Sequence, residues 1–174
     1  MFKQARKALH GKNRTKFDGS FGYLSELENL VKLKCQVKKP EDFLNLDSVE
    51  EALKVNVSYK LLSILKKQSE TKNKISKKDF LNTRYALDIV DVSKTHIRYV
   101  TFWFFRQVVD SDKIKCDGVK NNLRNLCMLY GLSHLNIDAT SCYDCGYFGN
   151  HGQDAPFSEL VLEAIKLLNT TIRP

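Results

Sequence analysis

From Asp79 to Val109 the chain contains neither glycine nor proline. A stretch so free of breakers must continue one regular element, and strands in globular proteins seldom exceed ~10 residues. Apolar residues at Phe80, Leu87, Val90, Ile97, Val100, Phe104 and Val108 recur at steps of three, four and seven. That is helical spacing. Ser76 followed by Asp79 supplies a start signal, so the spacing predicts one helix over 79–109, about 50 Å long at about 1.5 Å per residue. Within it, Tyr99-Val100-Thr101-Phe102-Trp103-Phe104-Phe105 is apolar around most of its circumference and calls for neighbours on more than one side. The β-branched and aromatic content would also suit a strand, but the unbroken helical context on both flanks favours helix.

The rest of the chain is punctuated just as sparingly, with 8 glycines and 3 prolines in 174 residues. Residues 2–10 read as the end of a helix stopped by Gly11, and 11–22 as a connecting loop. Residues 23–46 mix apolar clusters with Pro40 and carry little regular pattern. Ser48 and Glu51 have the spacing of a capping box, in which each side chain satisfies an otherwise orphaned backbone donor. Behind them Val49, Leu53, Val57, Leu61, Ile64 and Leu65 form one helical face to about Gln68. A polar loop, Ser69 to Lys78, separates this helix from the next. Asp117-Gly118 precedes another helix, with Val119, Leu123, Leu126, Cys127, Tyr130 and His134 on one side. A loop with Gly146, Gly149, Gly152 and Pro156 leads to a last helix, Phe157 to Ile172, with Leu160, Val161, Ala164, Ile165 and Leu168 inward. The expected fold is all-α, an antiparallel bundle of three or four substantial helices.

Composition narrows function by exclusion. No apolar run approaches the ~20 residues of a membrane-spanning helix, and Met1 to Lys7 lacks the apolar centre of a secretory signal. The five cysteines (Cys35, Cys116, Cys127, Cys142, Cys145) are odd in number and irregularly spaced, as expected of reduced thiols. The net charge of +8 is concentrated in two blocks. Residues 1–20 hold six basic side chains against Asp18, and residues 54–78 hold eight lysines against Glu70. With no recognisable nucleic-acid-binding module beside them, these read as solvated helix faces and a lysine-rich loop.

Chemistry-bearing groupings are few. Cys142-Tyr-Asp-Cys145, with His134 before it and His151 after, offers thiolate and imidazole ligands of the kind zinc prefers. One C-x-x-C without a second is a weak signal, and the expectation is that these residues hold no metal. His96 lies mid-helix within reach of Asp88 or Asp91. No nucleophile or paired acid accompanies it, so a structural histidine is expected. There is no glycine-rich phosphate loop, no G-x-S-x-G elbow and no metalloprotease helix.

Two segments carry a family resemblance. Tyr85-Ala-Leu-Asp-Ile-Val-Asp-Val-Ser-Lys-Thr-His96-Ile-Arg-Tyr99-Val100 resembles the V-x-x-S/A-x-x-H-x-x-Y-V helix of acyl-CoA oxidases. Val119 to Leu132, with Leu126-Cys127-Met-Leu129-Tyr130-Gly131-Leu132, resembles their L-x-x-L-C-x-L-Y-G/S-L helix, followed by a Gly-Tyr loop at Gly146-Tyr147. Gln4-Ala5-Arg6, Gly22-Tyr23-Leu24, Leu167-Leu168 and Ile172-Arg173 add weaker matches in the same order. The resemblance implies an FAD-dependent oxidase of peroxisomal fatty-acid β-oxidation. Such an enzyme converts an acyl-CoA and oxygen to the trans-2-enoyl-CoA and hydrogen peroxide, and works as a homodimer. It further implies that residues 1–22 belong with an upstream flavin-binding half, and that 23–174 form the C-terminal helical domain, cut short at its end. The family's catalytic glutamate lies upstream of the segment matching Gln4-Ala5-Arg6. Glu26, Glu28 and the other acids match no catalytic position, so no catalytic residue is assigned and no flavin-binding residue can be named. The expected partners are the fatty acyl-CoA substrate, the remaining oxidase domains and a second subunit, with no nucleic acid and no membrane span. A non-catalytic module that binds full-length oxidase subunits is the alternative.

Overall fold

Each long apolar periodicity becomes an α-helix, and no strand occurs among the described residues of the computed structural model, which are 2–10, 17–72, 74–149 and 157–172. We number the five longer helices α1 (Phe2–His10), α2 (Leu46–Thr71), α3 (Ala86–Asp110), α4 (Asp117–Ile137) and α5 (Phe157–Ile172). Helices α2, α3 and α4 pack mutually as an antiparallel bundle, and α5 lies along α4. The all-α bundle expected from the sequence is the fold observed.

Helix α2 is the central element. Its buried set includes Val49, Ala52, Leu53, Val55, Val57, Leu61 and Ile64, which together cover more than one helix face. Such a helix needs neighbours on several sides, and α3, α4, α1 and the short helix Thr140–Asp144 supply them. It starts earlier than the capping-box signal suggests. Asn45 is the N-cap, its Oδ1 accepting from the Asp47 N–H at 2.9 Å. Ser48 is therefore already inside the first turn, and Glu51 is free to accept a hydrogen bond from the Tyr147 hydroxyl at 2.7 Å. The helix also runs on to Thr71, past Gln68.

The helix expected over 79–109 is interrupted. Ser76 does cap, accepting from the Asp79 N–H at 3.1 Å. One turn of α-helix (Lys77–Asp79) then gives way to a π turn, Phe80–Arg84, closed by Tyr85 N–H to Phe80 O at 3.2 Å. The reason is helical phase. In a continuous α-helix Phe80 would sit about 120° around from Val92, at about 100° per residue. A π turn absorbs one extra residue, which cuts the offset to about 20°. Phe80 thereby becomes buried on the core side, packed on Tyr85 at 4.6 Å between ring centroids, before α3 begins.

The spacing that marks α3 as a helix does not trace its buried face. The buried residues are Val92, Thr95, Tyr99, Phe102 and Val109, whereas Leu87, Val90, Ile97, Phe104 and Val108 face outward. In α4 the buried face is Cys127, Met128, Gly131, Leu132 and Leu135, with Val119 and Leu126 exposed. The predicted stripe there is rotated by about one residue. Helix α5 agrees with expectation, burying Leu160, Val161, Ala164 and Leu168.

Segments read as irregular hold short helices: 3-10 turns at Gly19–Ser25 and Pro40–Phe43, and an α turn at Leu27–Leu30. They seal the end of the bundle with buried Tyr23, Leu24, Leu27, Leu30 and Phe43. Helix α1 joins the same core through Ala5, fully buried against α2 and the Gly19–Ser25 turn. At the other side of α2, Gly146 turns the chain with φ +68, a conformation that disfavours side-chain-bearing residues. The turn drives Tyr147 and Phe148 into the core.

Candidate functional site

Of the residues considered for chemistry, His96, His134, Cys142 and Cys145 lie within the described structure. His96 is half-buried, with Nδ1 2.8 Å from the Tyr23 hydroxyl and its ring 5.2 Å from that of Phe21. Burial pushes its pKa down to about 4, so a neutral imidazole accepts the Tyr23 O–H. Neither nearby acid serves it: Asp88 pairs with Lys67 and Asp91 with Lys60, each at 2.7 Å. His96 thus anchors the Gly19–Ser25 turn to α3, as a structural histidine would.

Cys142 is fully buried, its thiol directed at the Ala52 carbonyl 3.6 Å away, and burial raises its pKa well above the ordinary thiol value. Cys145 is half-buried and likewise raised, chiefly by burial. His134 packs edge-on against Tyr130 in α4, with 4.4 Å between ring centroids. Burial and then the nearby Arg98 guanidinium lower its pKa. Among the described residues no group of three or more His, Cys, Asp or Glu could hold a metal ion. His151, the fourth nominee, lies outside the described residues.

Two ionic networks pin the bundle. At one end, Arg106 of α3 reaches Asp47 at 2.6 Å, Glu50 at 2.7 Å and Asp110 at 3.2 Å. Burial alone would lower its pKa, but these carboxylates outweigh it and hold the guanidinium above its usual value. At the other, Asp138 accepts from Lys60 at 2.6 Å, Thr95 at 3.2 Å and Arg98 at 3.3 Å, while its carbonyl takes the Asn56 amide at 2.5 Å. Removing one member of such a part-buried network leaves its partners unpaired, which costs more than the pair contributes while intact.

What the packing leaves unused is the outward side of α3. Leu87, Val90, Lys94, Ile97, Thr101, Phe104 and Val108 follow one another at alternating steps of three and four, all exposed. Leu87 is 84% exposed, Ile97 62% and Phe104 57%. This alternation is the spacing of a helix–helix seam. The helix therefore has two seams, one filled by α2 and α4 and one with no neighbour among the described residues. Exposed apolar surface of this continuity marks an interaction face.

One hollow, about 700 Å³, is lined by Tyr23, Tyr99, Trp103, Arg106, Glu50 and Glu51 among others. Its arginine is already committed to Asp47, Glu50 and Asp110, and Glu26 and Glu51 add further negative charge that would repel a pyrophosphate. A second, between α1 and the end of α2, is basic but measures only about 370 Å³.

The model of the family described as acyl-CoA oxidase matches residues 45–174. The chain belongs to the acyl-CoA oxidase family. It is 28% identical over 114 residues to peroxisomal acyl-coenzyme A oxidase 1 of Arabidopsis thaliana, a match covering 66% of this chain and 16% of that protein. Its fold is that of solved oxidases. An acyl-CoA oxidase from Lycopersicon esculentum (tomato) superposes with a TM-score of 0.84 at 22% identity, over 99% of this chain and 24% of that one. Acyl-CoA oxidase 1 of Arabidopsis thaliana gives 0.83 at 24% identity over the same shares. The chain thus spans about a quarter of the solved relatives' length.

The oxidase-like motifs gain a physical meaning in this fold. Tyr99 and Cys127 are buried, the Tyr130 hydroxyl donates to the Arg98 carbonyl at 3.5 Å, and Gly131 lets α4 approach Val49 and Phe102. They are the residues of the α2–α3–α4 crossing. Sequence reading found this crossing by resemblance but did not say which stripe of α3 is left facing outward. A count of heptad positions would have revealed both stripes.

Proposed function

We propose that this chain is the C-terminal helical portion of an FAD-dependent acyl-CoA oxidase of peroxisomal fatty-acid β-oxidation, and that it scaffolds the catalytic half. Residues 1–22 continue from the flavin-binding half, and 23–174 make up the helical domain. The observation that carries this reading is the unfilled seam of α3. A helix with two apolar stripes is built to lie between two bodies, and here only one is present. The remaining oxidase domains, or a second subunit of the homodimer, would cover the other. FAD and the acyl-CoA are bound by the parent enzyme, whose electrons pass from substrate to flavin to oxygen. This chain supplies neither the base that takes the α-proton nor the flavin's main contacts.

The test is a direct one. The purified chain, given FAD, acyl-CoA and oxygen, should release no hydrogen peroxide above background. Robust flavin-dependent peroxide formation would overturn the scaffold role. An antibody against residues 76–110 should detect a native product several times heavier than 20.0 kDa. A native band at 20.0 kDa alone would instead point to the module that binds full-length subunits.

A further inference from the structure

The second hollow has a chemistry that neither the fold nor the oxidase assignment requires. Helix α1, the last turns of α2 and the Ser76–Phe80 turn enclose about 370 Å³ lined by Arg6, Leu65, Gln68, Ser69, Thr71, Lys72, Ile75, Ser76, Lys77 and Phe80. That volume lies at the small end of the range for small-molecule sites, roughly 300–1,000 Å³. Its floor is apolar: Leu65 and Ile75 are half-buried and Phe80 is buried. Its rim is cationic, and the cations are uncommitted. Lys54, Lys60 and Lys67 of α2 are all paired with acids. Lys72 and Lys77, by contrast, have no ion-pair partner among the described residues, and Arg6 donates only to the neutral Gln68 side chain. Nearby Lys3, Lys7, Lys66, Lys74 and Lys78 are exposed and unpaired as well, which raises the local positive potential. Of the two acids adjacent in sequence to the lining, Asp79 is occupied by the Ser76 hydroxyl at 2.6 Å, and Glu70 is exposed and does not line the cleft.

We propose that this cleft binds a single-chain aliphatic anion in solution. Its tail would lie along Leu65, Ile75 and Phe80, and its carboxylate or phosphate head would meet Arg6, Lys72 and Lys77. An aliphatic tail suits the floor because none of the apolar lining presents an exposed aromatic face for a base to stack on. The anionic head follows from three cations in a lining that contains no acid, since hydrogen bonds to a charged group are about twice as strong as neutral ones. The cleft uses no residue of the α3 seam, so it would bind such a molecule whether or not the chain scaffolds an oxidase.

The experiment is calorimetric titration of the folded chain at low and moderate salt with decyl phosphate and decanoate below their micellar concentrations. Both should bind, more weakly as salt rises. Decyl trimethylammonium, ADP and inorganic phosphate should bind at least tenfold more weakly. The exposed pair Lys72→Glu with Lys77→Glu should weaken decyl phosphate at least tenfold while leaving the helical circular dichroism unchanged. Ile75→Ser should weaken the tail contribution, so that decyl and ethyl phosphate converge. Equal binding of decyl trimethylammonium or of inorganic phosphate would overturn the proposal. So would indifference to the double substitution, preference for ADP, or binding of anionic vesicles without binding of the monomeric anions.

Discussion

At the residue scale, the tightest point in the bundle is Gly131. A Cβ built there would lie inside the envelope of the Val49 side chain and 2.9 Å from the Phe102 ring. Gly131→Ala would gain about 1 kcal/mol of helix propensity. It must then displace α4 from two fully buried side chains, and overpacking of that kind costs about 1–3 kcal/mol or more. With contacts this close on two sides, the cost is expected at or above the top of that range. The net effect should be destabilising, read as a lowered Tm in thermal denaturation of the otherwise unchanged chain.

His96 supplies a pH dependence. Its folded pKa, about 4, lies below its ordinary value of 6.5 because the ring is buried against Phe21 and Tyr23. Between those values the unfolded chain binds the proton and the folded chain does not. The stabilisation is therefore present in full above pH 6.5 and is lost as pH falls toward 4. Allowing for solvent screening of a ring that stays part-exposed, the loss is on the order of 1–2 kcal/mol. His134, also lowered by burial, acts in the same direction. Denaturation followed at pH 7, 6 and 5 should show stability decreasing, and His96→Gln, which can still accept from Tyr23, should flatten that slope. A slope unchanged by the substitution would remove His96 from the account.

At the element scale, α3 shows what could and could not be read from the sequence. Helix was legible because period and absence of breakers act locally. Which stripe faces the core was not, because both stripes of α3 are apolar and only its neighbours decide between them. The π turn was illegible for a related reason: it exists to bring Phe80 into phase with a core whose position the sequence does not give. The cap is Asn45 rather than Ser48, and Glu51 is taken instead by Tyr147, a partner almost a hundred residues on. Which stripe forms the outward seam was equally illegible, since an unfilled seam is defined by what fails to pack there. Two substitutions separate the stripes of α3. Phe102 is fully buried and Phe104 is 57% exposed, two residues on and about 200° around the same helix. Phe102→Ala should cost about 3–5 kcal/mol by urea denaturation, the range for a buried phenylalanine. Phe104→Ala should fall within about 0.5 kcal/mol of no change, as surface substitutions do. Similar losses at both positions would mean that the outward seam is already covered within the single chain.

At the scale of the whole molecule, two long-range properties oppose each other. The chain carries a net charge of +8, with unpaired lysines gathered at the α1 end. That charge holds copies apart. The α3 seam, with Leu87, Val90, Ile97, Phe104 and Val108 exposed, draws them together because association removes apolar surface from water. Salt alters only the first of these. Exposed charges are screened beyond a Debye length of about 10 Å at 0.1 M ionic strength and about 3 Å at 1 M, whereas apolar association persists. Sedimentation of the purified chain should accordingly show self-association increasing with sodium chloride, the reverse of a complex held by ion pairs. Ile97→Glu together with Phe104→Glu places two charges in the seam and touches no buried residue. The doubly substituted chain should retain its Tm and remain a 20.0 kDa monomer at every salt concentration. If it still associates, the contact lies elsewhere, and the exposed Val119 and Leu126 of α4 are the next stripe to charge. If it becomes monomeric, the same two substitutions in a full-length oxidase should prevent the helical portion from docking onto the catalytic half, linking the solution behaviour of this chain to its place in the larger enzyme.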